Sequence, residues 1–293
     1  MSFERVGIVG GGLMGSGIAE VSARAGIETV VLEADAPALE RAQTRIESSL
    51  SRAVRSNKLG QTEMERALSF LSFTTDFDAL ADRDLVVEAI AENEVAKLAL
   101  FRRLDDVVTD PLAVLASNTS SIPIMKLGMA TKRPSQVVGI HFFNPVPVLP
   151  LVELVTSLLT SQETVERANT FAEITLHKRV IRSKDRAGFI VNALLIPYIL
   201  SAIRMMESGF ATADDIDTGM VEGCAHPMGP LHLGDLIGLD TCMAVAESLY
   251  TEFKEPLYAP PPLLSRMVEA GLLGRKTGRG FFVYASTEKP RPS

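Results

Sequence analysis

The sequence predicts an α/β protein in two parts: an N-terminal, doubly wound, mostly parallel sheet and a smaller, all-helical C-terminal domain. Three observations carry that prediction. Apolar, β-branched runs alternate with helical periodicities over roughly the first 180 residues. A glycine-rich turn joins the first such run to the first helix. From Phe189 onward almost every segment has helical spacing instead. At 293 residues the chain exceeds one typical domain. The break is expected after Asp185, giving domains over 1–185 and 186–293.

The first element sets the rest. Arg5 to Val9 is apolar and β-branched and reads as a buried strand, and Ser16 to Ala25 reads as the helix that follows. Between them Gly10, Gly12 and Gly15 have the spacing G-x-G-x-x-G. Gly10 permits the tight turn, Gly12 leaves no Cβ where a pyrophosphate approaches the backbone, and Gly15 lets the helix lie close to the sheet. The helix N-terminus offers N–H groups and partial positive charge to the phosphates. Glu28 to Glu33 is the second strand, and Glu33 closes it about 20 residues beyond the glycines, where an acid holds ribose hydroxyls. Asp35 competes for that role. A carboxylate there repels a 2′-phosphate, so the Rossmann-type site is expected to take NAD rather than NADP.

Ala36 to Leu59 has apolar residues at helical spacing, and Thr62 with Glu65 reads as a capping box opening the next helix. Strands follow at Leu71–Thr75, Leu85–Ile90, Ala113–Ser117, Gln136–His141, Leu151–Val155 and Arg179–Arg182. Helices are expected at Lys97–Val107 and Thr164–Leu176, and in the second domain at Ile190–Ser208, Thr212–Glu222, Leu236–Tyr250 and Pro262–Ala270. The apolar faces of the last two suggest a dimer interface.

Composition excludes several classes. A net charge of −7 argues against nucleic-acid or anionic-membrane partners. The basic residues are scattered, apart from a local cluster at Arg52, Arg55 and Lys58. Cys224 and Cys242 have no metal-ligand spacing and read as reduced core thiols in a cytosolic protein. The first apolar run is glycine-broken and follows Glu4, so it reads as a strand and not a signal peptide. No stretch has the length of a membrane span.

Ligands of doubly wound sheets bind beyond the carboxyl ends of the strands. Three further strand ends carry polar groups: Glu92 and Asn93 with Lys97 a turn later, Ser117 to Ser121, and His141 to Asn144. His141 is the interesting base, followed by the stiffening Pro145, Pro147 and Pro150. Glu153 lies within an apolar strand, where a carboxylate either faces solvent or needs a partner. If the chain folds back after the prolines, Glu153 meets one imidazole nitrogen and leaves the other free for a substrate proton. Taken singly, His141 also fits a structural histidine, and Glu153 a solvated edge acid. His177, His226 and His232 read as structural, with no metal site.

On these residues the chain resembles the short-chain L-3-hydroxyacyl-CoA dehydrogenases, and within them the bacterial 3-hydroxybutyryl-CoA dehydrogenases. The resemblance runs from Val6 to Tyr284. It rests on Gly10-Gly-Gly-Leu-Met-Gly-Ser-Gly17, Ala116-Ser-Asn-Thr-Ser-Ser121, His141-Phe-Phe-Asn-Pro-Val-Pro147, Lys184-Asp185 with Gly188-Phe-Ile-Val-Asn192, Pro227-Met-Gly-Pro230 with Gly238-Leu-Asp240, and Lys276-Thr-Gly-Arg-Gly-Phe281.

The resemblance implies reversible NAD-dependent oxidation of an L-3-hydroxyacyl-CoA, 3-hydroxybutyryl-CoA for the bacterial branch, to the 3-oxoacyl-CoA. It makes His141 the general acid–base and Glu153 its carboxylate partner, with Ser120 and Asn192 at the substrate's C3 oxygen. It puts Leu13, Met14, Glu33, Glu92, Lys97, Asn118, Ser120, Asn144 and Lys276 beside the three glycines at cofactor-contact positions. Ser49 and Asn144 fall at substrate positions. Ser56 stands where the family carries a basic residue, which opens the contacts to the carrier to question. The expected motion is domain closure over a hinge near Lys184–Gly188. Two other readings stay open: the same oxidation on an acyl-carrier-protein thioester or a free hydroxy acid, and a non-catalytic NAD-binding or structural protein. His141, Glu153, Ser120 and Asn192 argue against the last. A cytoplasmic homodimer is the expected form.

Overall fold

The computed structural model describes residues 3–284. They form two compact units, the first ending at Phe189 and the second starting at Ile190. Residues 186–189 go with the first unit for a physical reason. The Asp185 carboxylate accepts the N–H groups of Ile124 (2.8 Å) and Met125 (2.7 Å), and Phe189 is buried in the core of that unit.

In the first unit one eight-stranded sheet has the order β3-β2-β1-β4-β5-β6-β7-β8. Its strands are β1 (Arg5–Val9), β2 (Glu28–Leu32), β3 (Leu71–Thr74), β4 (Leu85–Glu88), β5 (Val114–Ser117), β6 (Val137–Phe142), β7 (Leu151–Thr156) and β8 (Arg179–Lys184). All neighbours are parallel except β6 and β7. Alternate residues feed two cores, one on each face. Val6, Ile8, Leu85 and Val87 belong to one, Val86 and Leu115 to the other. Burial on both faces is why these strands read as near-continuous apolar runs.

The helices are α1 (Leu13–Arg24), α2 (Ala36–Arg55), α3 (Gln61–Ser69), α4 (Glu94–Val107), α5 (Ile124–Met129) and α6 (Gln162–Asn169). Local chemistry corrects two expectations. The cap of α3 is not Thr62 with Glu65: Glu63 Oε2 accepts the N–H of Gly60 at 2.7 Å, two positions earlier. The single helix expected over Thr164–Leu176 starts earlier as α6 and widens into a π-helical stretch over Thr170–Thr175.

The second unit holds α7 (Val191–Glu207), α8 (Ala213–Cys224), α9 (Pro230–Ile237), α10 (Leu239–Phe253) and α11 (Pro262–Glu269). The helix expected over Leu236–Tyr250 is in fact the end of α9 and most of α10. Gly238, with φ +104°, breaks it. The two cysteines part company as well. Cys242 is buried, with its thiol pushed up to about 12, chiefly by burial, whereas Cys224 is exposed and is no core thiol. No helix of the described residues is long and apolar enough to cross a membrane.

Candidate active site

The glycine turn is built for close approach. Gly10 has φ +94°, and a Cβ on Gly15 would lie 1.8 Å from the Gly10 carbonyl oxygen. A Cβ on Gly12 would meet nothing within 4 Å, so the space above the turn is open. Gly12 is also the N-cap of α1 and supplies no capping side chain, which leaves the N–H groups of the first turn, around Leu13 and Met14, for a ligand. Glu33 lies just past β2 and its Oε1 accepts the Gly11 N–H at 2.6 Å. Asp35, the competing acid, is instead the N-cap of α2, accepting from Ala38 at 2.7 Å. A cleft of about 330 Å³ adjoins Glu33, walled by Phe77, Ile90 and Arg103, with the Arg103 guanidinium 3.8 Å from the Phe77 ring centre. Open glycine, uncapped helix and acid at the second strand's end together fit a dinucleotide. Phe77 and Arg103 escaped sequence reading because a lone aromatic in a short 3₁₀ turn has no periodic signal.

At the other strand ends the antiparallel return of β7 decides the geometry. His141 on β6 stands directly opposite Glu153 on β7, so both side chains share one face as cross-strand neighbours. Imidazole Nδ1 lies 2.8 Å from Glu153 Oε2 and Nε2 lies 3.0 Å from Ser120 Oγ. Both side chains are buried, with Phe143 and Phe189 rings packed on the imidazole. With Nδ1–H donating to the Glu153 carboxylate, Nε2 is the acceptor on the Ser120 side.

Ser120 is held by a network under its loop. Glu92 Oε1 accepts from Thr119 Oγ1 (2.5 Å), Ser120 N (3.0 Å), Ser121 N (3.1 Å) and Ser121 Oγ (2.8 Å). Lys97 Nζ lies 3.1 Å from Glu92 Oε2 and 2.6 Å from Glu88 Oε1, whose other oxygen accepts from Ser117 Oγ at 2.6 Å. Asn118 ties the same loop to the end of β6 by accepting the Phe142 N–H at 2.9 Å. Glu92, Lys97 and Asn118 thus have their polar groups engaged in organising the Ser120 loop. Glu88 was missed in the sequence because it falls inside the run read as the strand Leu85–Ile90 and its role depends on a lysine from the next helix.

Burial would raise the Glu92 carboxyl, but the Lys97 ammonium and the hydroxyls of Thr119 and Ser121 outweigh it and hold the group below the ordinary 4.5. A lowered carboxylate stabilises the fold above its unfolded pKa, and that contribution is lost as pH falls through the folded value. Glu92→Gln is therefore expected to lower the denaturation midpoint at about pH 7 and to match wild type once both are measured well below about pH 4. Urea titrations at the two pH values check this.

The remaining residues are placed as follows. Asn144 is exposed, just before the cis peptide bond to Pro145. Ser49 is half-buried on α2, close enough to Glu20 to favour its charged form. In the second unit Asn192 is half-buried in the first turn of α7, and Lys276 Nζ lies 2.6 Å from both oxygens of Asp240. There too, His232 lies 2.6 Å from Asp217 and stacks on Phe282, and His226 lies 3.1 Å from Tyr198 Oη.

Comparison with known proteins agrees with this geometry. The family model "3-hydroxyacyl-CoA dehydrogenase, NAD binding domain" matches residues 5–186 and the model of the same family's C-terminal domain matches 188–284. A 3-hydroxybutyryl-CoA dehydrogenase of Mycobacterium tuberculosis is 59% identical over 283 residues, covering 97% of this chain and 99% of its own. Among solved structures, M. tuberculosis FadB2 superposes with a TM-score of 0.96 at 58% identity, over 97% of this chain and 100% of that one. (S)-3-Hydroxybutyryl-CoA dehydrogenase PaaH1 of Ralstonia eutropha gives 0.91 at 43%, with the same coverage. Fold, glycine turn and matches define an NAD-dependent oxidoreductase. The chain belongs to the 3-hydroxyacyl-CoA dehydrogenase family.

Proposed function

We propose that the protein reversibly oxidises an L-3-hydroxyacyl-CoA, 3-hydroxybutyryl-CoA in particular, to the 3-oxoacyl-CoA, with His141 as general acid–base. The carrying observation is the imidazole held between Glu153 and Ser120. In the oxidative direction Nε2 accepts the C3 hydroxyl proton. Glu153 keeps the ring oriented and stabilises the imidazolium that forms. Ser120 Oγ, beside Nε2, hydrogen-bonds the same substrate oxygen. Bound NAD supplies the nicotinamide carbon that accepts the C3 hydride. The names of the relatives support the short acyl chain.

Acetoacetyl-CoA should be reduced rapidly with NADH, and with NADPH at a kcat/KM about 100-fold lower, because Glu33 repels a 2′-phosphate. The loss of reduced-nicotinamide absorbance measures both. Equal rates would overturn the Glu33 assignment. No turnover with either cofactor would overturn the acyl-CoA reading and favour a carrier-protein thioester. A homodimer stays part of the proposal on the apolar faces read in the sequence for the last two helices, and the two free cysteines support a reducing, cytoplasmic setting.

A further inference from the structure

Of the buried charged groups with no part in the chemistry above, Lys178 lies nearest in function to it. It follows the π-helical stretch over Thr170–Thr175 and His177, a non-glycine residue at φ +53°. Widened turns of this kind recur at functional sites, and a left-handed residue without glycine's freedom is held there by its surroundings. The lysine that comes next is turned inward. Lys178 is 8% exposed, and its ammonium donates to the carbonyls of Val146 (2.6 Å) and Leu149 (2.8 Å). Burial and then Arg24 push its pKa down, while Glu20, buried on α1, acts the other way and favours the charge.

Both acceptors belong to the loop that joins β6 to β7, between His141 and Glu153. The loop's own hydrogen bonds do not tie it to the sheet. Pro145, Pro147 and Pro150 carry no N–H, and the N–H groups of Val148 and Leu149 turn back on the Pro145 carbonyl. On one side the Arg179 N–H, next to Lys178 itself, reaches the Pro150 carbonyl at 2.7 Å. On the other, Val146 is buried against Gly17 of α1, where a Cβ would come within 2.8 Å of it. The loop is therefore pinned between the dinucleotide helix and one ammonium. It opens with Phe143, whose ring centre lies 4.7 Å from that of the His141 imidazole, and with Asn144, where the family resemblance places cofactor and substrate contacts.

Resting on the reaction proposed above, we propose that Lys178 is a positioning residue for it. Through the Val146 and Leu149 carbonyls its ammonium fixes the loop that packs Phe143 on the His141 imidazole and presents Asn144 to the ligands. It acts through the backbone alone. A methionine in its place leaves both carbonyls buried without a donor, and the loop swings toward water to satisfy them. An arginine keeps the charge and can donate to both.

The test compares the full chain as wild type, Lys178→Met, Lys178→Arg, Asn144→Ala and the double variant Lys178→Met/Asn144→Ala. Amide hydrogen exchange without ligand reads the clamp itself. The Val148 and Leu149 amides are expected to exchange about tenfold faster in Lys178→Met, with those of β1 and β4 unchanged, and to stay protected in Lys178→Arg. Reduction of acetoacetyl-CoA by NADH reads the consequence. Lys178→Met should lower kcat/KM by about 10- to 100-fold, the cost of a small misplacement, and Lys178→Arg should keep most of it. The double variant should lie within about threefold of the poorer single variant, because both changes act through one loop. A lysine that only supports the fold would instead lower protection across the whole first unit and add its loss to that of Asn144→Ala. Either result overturns the proposal, as does faster loop exchange with turnover unchanged. If the loop amides respond as expected and yet wild type does not turn over acetoacetyl-CoA, the clamp stands and the proposed reaction falls.

Discussion

His141→Gln is expected to lower kcat by about 10² to 10⁴, the span over which a positioned general base acts, while leaving NADH affinity within about twofold. The substitution is chosen for what it preserves. A glutamine side chain fills much of the imidazole's space and can still hydrogen-bond across to Glu153 and Ser120, so the cross-strand pair at β6 and β7 survives. It cannot accept the substrate proton. The dinucleotide elements, Gly12 above its open space and Glu33 on the Gly11 N–H, lie on β1, α1 and the end of β2 and do not involve the histidine. Steady-state rates with acetoacetyl-CoA, paired with a fluorescence titration of NADH, separate the two. Turnover within about tenfold of wild type would remove His141 from the chemistry.

What the sequence made legible and what it hid follow from how local each cause is. The glycine turn was legible because strand, turn and helix are consecutive and each glycine answers to a steric demand within a few residues. The His141–Glu153 pair was legible because the intervening prolines forbid a helix and short connections favour an antiparallel return, which then fixes the register. The Gly238 break was hidden because apolar spacing continues across Leu236–Tyr250, and only a positive φ separates the two helices. The exposure of Cys224 was hidden because it ends α8, where helical spacing no longer reports burial. The largest gap concerns Glu88. The strand expected over Leu85–Ile90 runs past the acid inside it, yet Glu88 ends β4 and is fully buried, with Lys97 reaching back from α4 to meet it.

That burial sets the second large effect. Lys97→Met should destabilise the first unit by about 3–5 kcal/mol, since removing one member of a buried pair leaves the other charge uncompensated. Side-chain exposures of 1% for Lys97 and 0% for Glu88 put the pair among those for which this figure holds. At the scaling of a domain this size the cost is a fall in Tm of roughly 6–20 °C, measured without NADH. The double variant Glu88→Gln/Lys97→Met should recover much of it, because the amide oxygen can still accept the Ile90 N–H and the amide N–H can donate to the Ser117 hydroxyl, without a buried charge. Catalysis should fall in the single variant as well. Glu92 loses its counter-ion there, and Glu92 is what holds the backbone of Ser120. The competing account makes Lys97 chiefly a cofactor contact. On that account the cofactor-free melting curve would barely move and the whole effect would appear as weaker NADH binding. The ammonium 2.6 Å from Glu88, with Glu92 on its other side, argues that its charge stabilises the loop bearing Ser120 before any ligand arrives.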